Sequence, residues 1–266
     1  MSSLEKSSLE KSSLENFAVA DVPRYRPPRN WYFLGTTFFG VIAHAAGALG
    51  AMVTLVLLLI WYNIPLDLPP ADLKSLMHQS GWMAMAMIAS CPFTLAVIWL
   101  ATRMARQPFA LYLALHGPAG RDIVRALALV LAVQLAWFAA GRLIGQGPPE
   151  FAIDTLRSAR ASGWLAVYLA ALFVFVPITE ELVVRGFLFR GWSQSFLGPA
   201  GAVVLTSAVW TALHIQYNAF YLSEIFVIGL ILGYFRWRTE STWLTVIVHA
   251  AINLASVIQT TLVERI

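Results

Sequence analysis

The chain has 266 residues, 59% of them hydrophobic and only 12% charged. A soluble domain carries about 25% charged residues, so this composition excludes an ordinary soluble protein and points to a chain threaded several times through a bilayer. In such a chain the net charge of +4 reports topology, so no nucleic-acid partner is read from it; the single cysteine, Cys91, allows no internal disulfide and no thiol-based metal framework.

The N-terminus reads MSSLEKSSLEKSSLEN, an SSLEK unit written twice and nearly a third time. Polar and low in complexity, it predicts a disordered cytoplasmic tail over 1–30, in part of engineered origin. About 20 apolar residues cross a bilayer as a helix. By that measure, candidate spans fall at 33–61, 82–102, 126–146, 164–188, 199–217, 219–237 and 242–261, with Pro- and Gly-rich turns between them. An eighth segment, QPFALYLALH at 107–116, reads as lying in the interface. The expected fold is all-α: a polytopic transmembrane helical bundle of about seven spans, with membrane lipids as its surroundings.

Lys and Arg orient it. With a cytoplasmic N-terminus, twelve fall in cytoplasmic segments and five in outer ones, leaving aside Arg185. That bias favours the N-terminus inside.

Three acidic residues fall within the spans, Glu180, Glu181 and Glu224, together with three histidines, His44, His214 and His249. Ionisable groups at such depth usually face a bundle interior or a wet cavity and mark function. A lone His44, or Glu224 near a helix end, is equally well a structural hydrogen-bonding group. The late cluster differs because its members recur at helical spacing. Glu181 and Arg185 stand at i and i+4 and can pair. Glu180 points about 100° away from Glu181, so the two carboxylates need not share a role. Pro177 weakens the helix just upstream. His249 and Asn253 share a stripe at i, i+4, as do Trp210 and His214; an aromatic one turn before a histidine reads as packing for its ring.

Glu with His can activate water as a general base, and His with Asn can stabilise an oxyanion. Those parts suffice for amide hydrolysis without a covalent intermediate. G-x-S-x-G and H-E-x-x-H are absent, although Glu180, His214 and His249 could hold a divalent metal such as zinc on ligand type alone.

These stretches, EELVVR at 180–185, WTALH at 210–214 and HAAIN at 249–253, resemble in order and spacing the motifs of the CPBP family, which comprises the CAAX prenyl endopeptidases of the second type and the bacterial Abi proteins. The second motif usually opens on Phe, where this chain has Trp210. The resemblance implies a catalytic core over 164–262, preceded by N-terminal helices over 31–163. It implies an intramembrane endopeptidase in which Glu180 and His214 activate water, His249 and Asn253 form the oxyanion site, and Glu181 with Arg185 braces the helix. No cofactor is implied, with a divalent metal as the alternative. The substrate would be a peptide or membrane protein, lipidated in some relatives. Compact length leans towards the inner membrane of a bacterium. A non-catalytic immunity or scaffold protein of the same fold, and more remotely a transporter, stand as alternatives. Counting residues from the cytoplasmic end puts Glu180 about 15 Å and His249 about 12 Å deep, facing a cavity open to the cytoplasm, whereas His214 lies about 22 Å deep and fits less well.

Overall fold

The computed structural model describes residues 27–69, 71–72, 76 and 79–264. The tail read over 1–30 therefore lies, up to residue 26, outside them. The described residues form α1 (Tyr32–Trp61), α2 (Ser80–Met104), α3 (Phe109–Tyr112), α4 (Gly120–Leu143) and α5 (Glu150–Ala161). The chain continues as α6 (Leu165–Ser193), α7 (Gly198–Ala212), α8 (Ala219–Thr239) and α9 (Thr242–Glu264). No strand occurs among the described residues. This is the all-α polytopic bundle read from the sequence, and the chain is an integral membrane protein.

Six helices, α1, α2, α4, α6, α8 and α9, are long and apolar enough to cross a membrane. The expected fifth span, 199–217, is shorter. Its helix α7 has 15 residues and rises about 22 Å, less than the roughly 30 Å hydrocarbon core. The cause is local. The residues after Leu213 include His214, Gln216, Tyr217 and Asn218, and the Asn218 side chain accepts from the Tyr221 N–H at 3.2 Å, capping α8. The chain has already begun the next helix where the sequence reading still placed a span.

The Gly147-Pro148-Pro149 turn hides a helix that the sequence reading did not anticipate. Pro149 precedes α5, whose Leu156 and Ala159 are buried against Tyr168, Ala171 and Ala84. Asp154 and Arg160 are exposed on its other face.

Small residues set the helix spacings, as is usual where lipid offers no hydrophobic drive. Gly47 and Gly50 of α1 sit directly beneath Thr94 and Phe93 of α2. A Cβ on Gly229 or Gly233 of α8 would come within 3.0 Å of Ser207 or Val203 of α7.

The two ends of the bundle differ. Arg103, Arg106, Arg121, Arg125, Arg190, Arg236 and Arg238 gather at one end. There the 109–116 segment, a single helical turn, crosses beneath the helices as a strap. Thr242 Oγ1 donates to the Leu113 carbonyl at 2.5 Å, the Thr242 N–H to the Ala114 carbonyl at 3.0 Å, and Ser241 Oγ to the His116 carbonyl at 2.6 Å. Tyr112 stacks on Phe187 at 5.6 Å and is fully buried; burial pushes its hydroxyl up to about 12, so it stays neutral at physiological pH. A core containing Ile98, Tyr112, Leu113, Phe187 and Leu188 closes this end.

Candidate active site

The site is built on the irregular helix α6. Two stretches of it, Ala171–Phe175 and Leu182–Leu188, are wound as π-helix, a form that recurs at functional sites. In the first, the Val176 N–H reaches back five residues to the Ala171 carbonyl. The next donor in that register would be Pro177, which has no N–H. The Leu172 carbonyl is thereby left free, and Asn253 Nδ2 of α9 donates to it at 2.8 Å. In the second stretch the Arg185 carbonyl accepts from Arg236 Nε at 2.9 Å. Pro177 does not open the helix. It frees one carbonyl, and that carbonyl fixes Asn253.

Glu181 lies on the packed side of α6. Its Oε1 accepts from Arg185 Nη1 at 2.8 Å and from His249 Nδ1–H at 2.9 Å. Glu181 and Arg185 are fully buried, and His249 is 3% exposed. The Arg185 guanidinium also lies over the Trp210 ring, 4.5 Å from its centroid. Charges in such surroundings are tolerated only when paired and hydrogen-bonded.

Glu180 faces the other way. Its Oε2 accepts from Trp210 Nε1–H at 2.6 Å. The indole ring meets the His214 ring edge-on at 5.1 Å and the His249 ring at 5.3 Å. Trp210 is thus the hub joining Glu180, Arg185 and both histidines, a role the sequence reading did not give it. A phenylalanine there would pack equally well but could not donate to Glu180. His214 lies just beyond the end of α7, and its Nδ1 is 2.8 Å from the Trp210 carbonyl. A carbonyl only accepts, so Nδ1 carries the proton and Nε2 of the neutral ring is left with a lone pair.

Glu180, His214, His249 and Asn253 all line one cavity of about 690 Å³. His44 of α1, read above as equally well structural, is on its wall too, as is Tyr217. A lone histidine gives no spacing signal that could have placed it there. The family resemblance paired Glu180 with His214, and His249 with Asn253. In the structure the direct partner of Glu180 is Trp210, and His249 bonds to Glu181. The cavity walls come from the middle of α1 between His44 and Ala51, the middle of α2 between Ala86 and Thr94, α5, α6, the 212–217 turn and α9 from His249 to Thr260. α7 ends at Ala212, and the turn that carries His214 borders this cavity, where irregular backbone is tolerated.

Among the described residues, no three of His, Cys, Asp and Glu converge closely enough to hold a metal ion. Nδ1 of His214 and Nδ1 of His249 are each engaged by protein, and no step below is routed through a metal.

Residues 162–255 match the sequence model of the family described as Type II CAAX prenyl endopeptidase Rce1-like. Over those residues the chain is similar to this family of CAAX-type membrane endopeptidases. It is also similar to an uncharacterised 24.3 kDa protein of Escherichia coli, 32% identical over 84 residues, which covers 30% of this chain and 38% of that protein. The match thus spans less than half of that relative's length. No solved structure matches the chain.

Proposed function

We propose that the chain is an intramembrane endopeptidase that hydrolyses peptide bonds with activated water. One observation carries this reading: a carboxylate, two imidazoles and a carboxamide from three separate elements line a single cavity within an apolar bundle.

Glu180 and His214 are the water-activating pair. Trp210 occupies one Glu180 oxygen, so the other takes the proton as the water oxygen bonds to the scissile carbonyl carbon. His214 accepts a second hydrogen bond from that water through Nε2. The tetrahedral oxyanion needs donors. Asn253 has two amide hydrogens; one is held by the Leu172 carbonyl and the other is available. His249 offers Nε2–H when both its nitrogens carry protons, with Glu181 balancing that charge. The proton held by Glu180 then passes to the leaving nitrogen as the C–N bond breaks, giving a carboxylic acid and an amine. Arg185 braces Glu181 and supports the Trp210 ring.

The substrate class that the family suggests is a membrane-associated protein or peptide, prenylated in the family's namesake. The plasma membrane of a bacterium is the proposed location, with the N-terminus in the cytoplasm, supported by the Escherichia coli relative and the Lys/Arg bias. The test compares membrane peptides in cells carrying the wild type and Glu180→Gln. Cleavage products should appear only with the wild type. The same products in the Glu180→Gln strain would sink the assignment.

A further inference from the structure

We infer that Arg190 and Arg236 together hold a phosphate group, of the kind carried by an anionic phospholipid headgroup or by free phosphate. The site is separate from the Glu180 cavity and does not rest on the peptidase reading.

Both arginines stand in the last turn of their helices, Arg190 at the end of α6 and Arg236 at the end of α8. Arg236 is only 4% exposed, and its Nε–H is spent on the Arg185 carbonyl. Its guanidinium lies 5.2 Å from the centre of the Phe189 ring. Arg190 follows Phe189 in the chain and is half-buried. Its guanidinium lies 5.9 Å from the centre of the Tyr112 ring, near enough to Arg236 for the one charge to act on the other. Two like charges are thus held close together against aromatic rings.

What the pair lacks is an acceptor. Among the described residues neither guanidinium is in an ion pair. Glu240, the acidic residue whose charge reaches Arg236, is exposed at the α8–α9 corner. Arg190 Nε is enclosed without a partner. Arg185 makes the contrast: its Nε is unpartnered too, but its Nη1 meets the Glu181 carboxylate at 2.8 Å. Arg190 has no such carboxylate among the described residues. The C-terminal dipoles of α6 and α8 offset part of the two charges, yet a dipole accepts no hydrogen bond from either fork. Enclosed donors without acceptors are rare and call for a missing group.

A phosphate supplies that group. Its oxygens accept from two guanidinium forks at once, in the planar paired geometry that arginine favours. The place also fits, because the end of a membrane helix lies at the headgroup layer, and basic pockets between such helices bind anionic headgroups. Arg103, Arg121 and Arg125 at the same end raise the local concentration of anions.

The test uses the purified full-length protein in a non-ionic detergent. It is mixed with phosphatidylglycerol, with a diacylglycerol of the same tails that lacks the phosphate, or with inorganic phosphate. Binding is followed by the thermal unfolding midpoint and by native mass spectrometry. Phosphatidylglycerol should raise the midpoint and stay bound, and diacylglycerol should do neither. A shift with phosphatidylglycerol alone assigns the site to a lipid headgroup; an equal shift with inorganic phosphate assigns it to free phosphate. Arg190→Gln should weaken binding about tenfold to a hundredfold, the effect of losing a hydrogen bond between charged groups. Arg121→Gln, which alters a side chain 77% exposed, should leave it nearly unchanged. No shift with either phosphate compound, an equal shift with diacylglycerol, or wild-type affinity in Arg190→Gln overturns the inference. A salt titration on the wild type alone decides the matter if Arg190→Gln fails to accumulate. Binding at an enclosed pair should persist well above physiological salt, and its disappearance there would mark a screened surface patch instead and overturn the site.

Discussion

Glu180 and Glu181 are neighbours in sequence yet sit in two different regions of the molecule. Glu181 belongs to a dry knot with Arg185 and His249, in which every charge has an opposite charge or a ring against it. Glu180 belongs to a cavity wall, with one hydrogen bond and one oxygen left to spare. The difference teaches that a carboxylate deep in a bundle is inert or available according to whether its free oxygen is sealed in packed side chains, as Glu181 Oε2 is, or borders a cavity.

That contrast can be broken most severely from the knot. Arg185→Ala leaves the Glu181 carboxylate buried with only His249 to oppose it, and removing one partner of a buried pair costs about 3–5 kcal/mol. Thermal unfolding in detergent should show this as a large drop in midpoint or a failure to accumulate, whereas Glu180→Gln should leave the midpoint nearly unchanged. Equal loss in the two variants would erase the distinction between the regions.

On the cavity side, Asn253→Ala removes the proposed oxyanion donor and should lower kcat by about 10²–10³, with KM little altered, in a reporter cleavage assay. Trp210→Phe keeps the ring and deletes its N–H. Loss of one hydrogen bond to a charged group costs about 1.5–3 kcal/mol, so kcat should fall by roughly tenfold to a hundredfold with KM held. An unchanged kcat would reduce Trp210 to a packing residue. The smallest effect is expected from a chelator: with no step assigned to a metal, turnover after dialysis against a metal chelator should match that of the untreated protein.

Much of the architecture was legible because its signals are long and periodic. The apolar runs marked seven spans, six of which are membrane-length helices, and the i, i+4 spacing of Glu181 and Arg185 was enough to suggest a pair. What escaped depends on where backbones stop and turn. Pro148-Pro149 reads as a break in any sequence, yet Pro149 opens a 12-residue amphipathic helix over the cavity. The length of α7 is set by the polar run after Leu213, and an apolar count carries straight through it. The Trp210–Glu180 bond was invisible because an indole one turn from a histidine looks the same whether its N–H is used or idle. His249 could not be assigned to Glu181 over Glu180 without the rotation of α9 against α6.

The brevity of α7 also bears on the surrounding lipid. A helix rising about 22 Å beside a hydrocarbon layer of roughly 30 Å leaves a mismatch of about 8 Å. Lipid tails facing it must compress, or water must fill the gap, at fractions of a kcal/mol for each ångström. On the flank nearest His214 the hydrocarbon layer is then expected to be thinner or wetter, so that a polar peptide backbone moving to the cavity has less oil to cross.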